Sequence, residues 1–201
     1  MNSNTLFIVG LGSTMVGCQH VEKKQSSALS QHTTQLQQSL TQLVKNVYKW
    51  NETQAKLDDF HPKEDPTSDL YVGLDVAKHQ QRLTELKDSG FFSSVFLEQY
   101  HAQAIQMHTD LLEGRAEWPV GYQSPFSDGS DIWCRCQDAP ERYWEKIQIV
   151  DMRPEGDTVR ILWSLGDNFT YMMRAEQTDS GMKIRYMEGL DSTNAPVSSA
   201  Y

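Results

Sequence analysis

Apolar positions recur with a helical period along the first half of the chain and with a period of two near its end. Leu36, Leu40, Leu43, Val47 and Trp50 follow one another at steps of four, three, four and three, and Leu57 extends the row beyond the polar Gln54. This spacing lays an apolar stripe on one helical face and predicts a helix packed on its own domain. A coiled-coil seam with a partner is the alternative, but so few heptads are marginal for one. His61-Pro62 and Asp65-Pro66 end the helix, because each proline drives its predecessor out of the α region. Asp75 to Lys87 is helical again, carrying Val76, Leu83 and Leu86, with Gly90 behind it as a C-terminal stop. A second helix starts after Phe91-Phe92, with Ser93 or Ser94 available as its cap, and ends near Gly114; its buried stripe is Phe96, Tyr100, Ala104, Met107 and Leu111.

Residues 117–143 show no period and contain Pro119, Gly121, Pro125, Gly129 and Pro140. A long loop rich in Trp118, Tyr122, Phe126 and Trp133 has too many rings to float free, so it is expected to pack against the domain. From Trp144 onward the alternation is that of strands: Ile147 and Ile149; Val159, Ile161 and Trp163; Phe169, Tyr171 and Met173; Met182, Ile184 and Tyr186. Arg153-Pro154-Glu155-Gly156, Gly166-Asp167-Asn168 and Asp179-Ser180-Gly181 supply the turns between them. The pattern predicts an α+β fold in which N-terminal helices pack on one face of a curved antiparallel meander.

Composition changes the picture mainly at the N-terminus. The chain has 201 residues, 38% of them hydrophobic, and a formal charge of −9 that argues against a nucleic-acid partner. No apolar run is long enough to span a bilayer as a helix. Leu6 to Gly17 has instead the length of a signal-peptide core, and it runs directly into Cys18. Val16-Gly17-Cys18 resembles the end of a bacterial lipobox, which implies acylation of the Cys18 thiol; a buried N-terminal strand with an ordinary core cysteine is the plain alternative. Of the 24 residues from Gln19 to Gln42, 14 are Gln, Ser or Thr, the composition of a flexible tether. By resemblance to lipoprotein sorting rules, Gln19 in place of an Asp favours the outer membrane. The expected layout is a signal peptide over 1–17, a polar tether over 18–33, a helix and linker over 34–66, the α+β domain over 67–191 and a flexible tail over 192–201.

Helices followed by a one-sided sheet resemble the cone of NTF2-like and cystatin-like domains. Asp88-Ser89-Gly90-Phe91-Phe92-Ser93 ahead of a helix, then Ser124-Pro125-Phe126, Trp133, Gln137-Asp138 and Gly181-Met182-Lys183-Ile184, resemble bacterial lipoproteins of the YbjP/YqhG type (the DUF3828 domain) over residues 75–190. That resemblance implies the cone and an envelope location, and brings no catalytic residues with it.

Candidate chemistry is sparse. Cys134 and Cys136 would share one face of a strand, and with Cys18 lipidated they are the remaining two thiols of a chain in an oxidising compartment. A local disulfide is favoured over free thiols and over metal ligation, and its small ring would make it readily reduced. His101 and His108 share a helix face that His79 could approach, a trio able to bind zinc, but chance spacing of surface histidines is the plainer reading. Asp128-Gly129-Ser130-Asp131 is an acidic turn rather than a calcium loop, lacking alternating ligands and a distal Glu. No nucleophile elbow, zincin, phosphate-loop or redox motif occurs, so no metal and no cofactor are expected. Trp118, Tyr122, Phe126 and Trp133 could line a binding surface, against the alternative that they are core. The sequence points to a non-enzymatic, lipid-anchored periplasmic accessory protein of the cell envelope, held to the membrane through Cys18 and engaging another envelope protein. The alternatives are an immunity lipoprotein that neutralises a periplasm-delivered toxin, and a ligand-binding or enzymatic cone.

Overall fold

The computed structural model describes residues 19–126, 130–136, 140–166 and 169–190, with side chains from Thr34 onward. The expected signal peptide, Cys18 and the C-terminal tail lie outside the described residues, as do Asp128, Gly129, Gln137 and Asp138. Two compact units divide the chain, Met1–Gln38 and Ser39–Tyr201.

Helix α1 runs over Gln19–Thr53. It begins well before the helix expected from residue 34, so the segment expected as a flexible polar tether has helical backbone. Its Gln and Lys are good helix formers, and a polar composition excludes a buried core without excluding a helix. At the other end the helix stops at Thr53, so Leu57 does not extend its stripe. The face that packs is broader than the expected row, with Leu40, Val44, Val47 and Tyr48 all essentially without exposure.

Helix α2 spans Val76–Ser89 between an Asp75 cap, whose carboxylate accepts from the Lys78 N–H, and a left-handed Gly90 at φ 72°. The backbone bond from Lys78 lowers the Asp75 pKa below its ordinary value. Its buried face differs from the expected one: Val76 is exposed, and His79, Arg82 and Leu86 point inward. Helix α3, Ser94–Leu112, is capped by Ser93 and buries Phe96, Tyr100, Ala104, Met107 and Leu111, as the periodicity predicts.

A four-residue helix α4, Tyr143–Lys146, leads into strands β1 (Gln148–Glu155), β2 (Thr158–Ser164), β3 (Tyr171–Thr178) and β4 (Gly181–Met187). They form a curved, unclosed antiparallel sheet in the order β1-β2-β3-β4, followed by a 3₁₀ turn at Glu188–Leu190. The fold is α+β, helices on one face of the sheet, an arrangement consistent with the NTF2-like cone. Two local expectations fail. Phe169 lies ahead of β3 and is exposed, and the inward row there is Tyr171, Met173 and Ala175. A register shift opposite Arg174 and Ala175 inserts one residue in β4, so Met187 rather than Tyr186 joins Ile184 in the core. Phe91–Ser93 closes the free edge of β4 through Ile184 N–H to Phe91 O at 2.8 Å and Ser93 N–H to Ile184 O at 2.9 Å. The centre of the core is aromatic: Trp163 lies 4.8 Å from the Tyr48 ring and stacks on Tyr171 at 4.4 Å. Burial raises the Tyr48 pKa well above its ordinary value, so the phenol stays protonated and donates to Trp133 O at 2.9 Å.

A candidate functional site at the buried Arg82–Asp59 centre

Chain geometry just after α1 creates the most concentrated chemistry among the described residues. Phe60 adopts φ 52°, a left-handed conformation rare outside glycine, and is held there by stacking on Tyr100 at a centroid distance of 4.7 Å. This turn aims Asp59 inward at α2, where Arg82 is 1% and Asp59 7% exposed. Arg82 Nε donates to Asp59 Oδ1 at 2.9 Å and Nη2 to Oδ2 at 3.1 Å, a bidentate pair. Nη2 also donates to Asn51 Oδ1 at 2.7 Å and Nη1 to Glu85 Oε2 at 3.4 Å.

The carboxylate is equally committed. Tyr100 Oη donates to Asp59 Oδ1 at 2.6 Å and Trp133 Nε1 to Oδ2 at 2.7 Å, so each oxygen accepts two bonds. Burial and the charge of Asp59 raise the Tyr100 pKa, keeping its hydroxyl a donor. Burial disfavours the Arg82 charge, but Asp59 outweighs it and the guanidinium pKa rises. Trp50 and Trp133 lie 5.3 and 5.6 Å from the guanidinium carbon, within cation–π range. Four segments distant in sequence thus meet on one ion pair. Next to it a cleft of about 410 Å³ is lined by Asn51, Glu52, Asp58, Asp59, Asp131 and Trp133, among others.

His79 stacks on Tyr100 and its Nε2 lies 3.0 Å from His101 Nδ1, while its Nδ1 is buried with no partner among the described residues. Burial first, and then the neighbouring His101, lowers the His79 pKa. The three histidines do not come together, because His108 Nδ1 accepts from the Leu74 N–H at 3.0 Å. Among the described residues no group of three or more His, Cys, Asp or Glu is placed to hold a metal ion.

The loop residues separate. Trp133, 4% exposed, belongs to the Arg82–Asp59 centre; Trp118, 8% exposed, packs edge-on to Tyr71 at 5.0 Å and donates to Tyr122 O at 2.8 Å. Tyr122 is open to solvent and Phe126 half-buried, so the four rings do not form one surface. Cys134 and Cys136 are joined by a disulfide.

No family model, curated protein or solved structure matches this chain. Taken singly, Arg82, Asp59 and Asn51 carry no functional signal in the sequence, and Tyr100 reads there only as a buried position of the α3 stripe. One signal is present: Asp75, His79, Arg82 and Leu86 recur at helical spacing, which puts three polar residues on the face that carries Leu86. Asp59 borders the cleft, but with four donors on its two oxygens it has no free lone pair aimed at a substrate proton.

Proposed function

We propose that this chain is a lipid-anchored accessory protein of the bacterial cell envelope, tethered through Cys18 and binding another envelope protein rather than catalysing a reaction. Kinship with the DUF3828-type lipoproteins belongs to the same proposal. The observation that carries it is the pair of short antiparallel segments around residues 69–71 and 118–122. Tyr71 N–H donates to Trp118 O and Val120 N–H to Asp69 O, both at 2.9 Å, and these bonds present Leu70, Val120 and Tyr122 at 37, 40 and 74% exposure. Large apolar side chains held outward on hydrogen-bonded backbone suit a preformed protein-binding surface. The Cys134–Cys136 disulfide supports an exported location, since such bonds persist in oxidising compartments.

Two measurements test the two halves. Cys18→Ser should move the protein from the membrane fraction to the soluble periplasm; wild type and variant both soluble would overturn the anchor. A photo-crosslinking residue at Tyr122 should give one discrete adduct in intact cells, whereas a uniform smear or none would overturn the binding surface. A second reading, immunity to a delivered toxin, draws on the carboxylates of Glu52, Asp58 and Asp131 along the cleft, which suit a basic segment. An adduct with a secreted toxin in place of a resident envelope protein would select it.

A further inference from the structure

We propose that the Cys134–Cys136 disulfide is a redox latch whose reduction by a dithiol withdraws Trp133 from the Arg82–Asp59 centre and opens the adjoining cleft. The latch is a turn tied at both ends. Asp131 N–H donates to Cys136 O at 3.0 Å, Arg135 N–H to Asp131 O at 2.7 Å, and Asp131 Oδ1 accepts from the N–H groups of Trp133 and Cys134 at 2.8 and 3.0 Å. The bond encloses a single residue, Arg135, whose φ of 49° is left-handed without being glycine. So small a ring removes little entropy from the unfolded chain, and the ring closes over a backbone conformation that an open turn would relax.

What the turn holds makes it a switch rather than an isolated bond. Trp133, next to Cys134 in the chain, donates to Asp59, and its carbonyl accepts from Tyr48. On the other side Ile132 O fits against Gly189, where a Cβ would sit 1.8 Å from that oxygen, and Arg135 pairs with Glu188 at 3.3 Å. A change in the turn is therefore felt at the helical layer and at the end of the sheet together. Such a local covalent event biasing one packed element is the usual form of a redox switch.

The sulfurs differ in access. Cys134 is fully buried and Cys136 half-buried, so an incoming thiolate meets Cys136 first. The donor thiolate bonds to Cys136 Sγ while the S–S electron pair leaves on Cys134 Sγ, which takes up a proton. The donor's second thiol, losing its proton, then attacks the mixed disulfide, and Cys136 departs as a thiolate and is protonated. The donor leaves as a disulfide, two electrons and two protons having passed to this chain.

Dithiothreitol serves as the probe, acting on the full folded chain. Alkylation should capture both thiols while far-UV circular dichroism is unchanged, and tryptic cleavage after the exposed Arg135 should accelerate by about tenfold or more, reporting the opened turn. The near-UV signal should change on reduction in wild type and much less in Trp133→Phe. Cys136→Ser should cleave fast without reductant and respond to it no further; should that variant not fold, the wild-type reduction decides alone. Thiols that appear only as the whole protein unfolds would overturn the latch. So would reduction that leaves the cleavage rate, or the Trp133 contribution to the spectrum, unchanged.

Discussion

Arginine meets carboxylate in two regions of this molecule under opposite physical conditions. On the solvent face of the sheet, Asp151 pairs with Arg153 at 2.8 Å and Arg160 at 3.4 Å, Glu155 with Arg160 at 3.2 Å and Arg174 at 3.1 Å, and Arg185 with Asp157 and Glu176, both at 2.8 Å. Most of these side chains keep a quarter or more of their surface in water. Beneath α2 the Arg82–Asp59 pair has almost none. The exposed pairs are many and individually weak, because water competes for every group and salt screens what remains. The buried pair is decisive, because removing Arg82 leaves the Asp59 charge with only the neutral donors Tyr100 and Trp133, and removing Asp59 leaves Arg82 with only Asn51 and the longer Glu85 contact. Counting ion pairs would rank the two regions the wrong way round.

The contrast can be pressed hardest at Trp133. Trp133→Ala removes a buried ring and also strips a donor from Asp59, so it should cost near the upper end of the roughly 3–5 kcal/mol typical of aromatic truncation, read as a shift in denaturant midpoint. A wild-type midpoint would show that the loop does not contribute to the centre. Next in size is Arg82→Met, which leaves Asp59 charged and buried and should cost about 3 kcal/mol. Pairing it with Asp59→Leu should recover part of that loss, since an apolar pair carries no desolvation penalty; additive losses would mean that the two side chains act independently.

His79 supplies a test by pH. Its pKa is lowered in the folded protein, so at falling pH the unfolded chain takes up a proton first. Stability should begin to drop below about 6.5, the unperturbed histidine value, and go on dropping until the folded-state pKa is passed. His79→Gln should flatten that part of the profile, and an unchanged slope would assign the acid sensitivity elsewhere. The smallest effect belongs to the sheet face. Arg174→Ala, half-exposed and paired to Glu155, should cost less than about 1 kcal/mol and matter less still in high salt. A loss as large as that of Arg82→Met would collapse the comparison.

Much of the fold is legible in the chain as written. The α3 stripe is a sequence of apolar residues at steps of four, four, three and four that can bury only one way, and the meander follows from alternation punctuated by turn residues. Errors arose where one residue shifts a period. The extra residue in β4 moves the core position from Tyr186 to Met187, and a bulge leaves no mark in a hydrophobic pattern. The polar composition of 18–33 predicts a tether where the described backbone is helical, because polarity reports on burial and says little about backbone conformation.

Local order is what the sequence determined by itself: caps at Asp75 and Ser93, the Gly90 stop, the face of α3, four strands in a row and an α+β class. Each depends on residues within a few positions of one another, where sterics and capping bonds act directly. Only the tertiary structure decided the Arg82–Asp59 centre. Its members lie between Asn51 and Trp133, and each is unremarkable in its own segment: an Asn in a helix end, an Asp before a phenylalanine, an Arg on a charged helix, a Tyr in a stripe. A buried charge is tolerable only when opposite charge and donors converge on it from several directions, and that convergence belongs to the fold rather than to any stretch of chain.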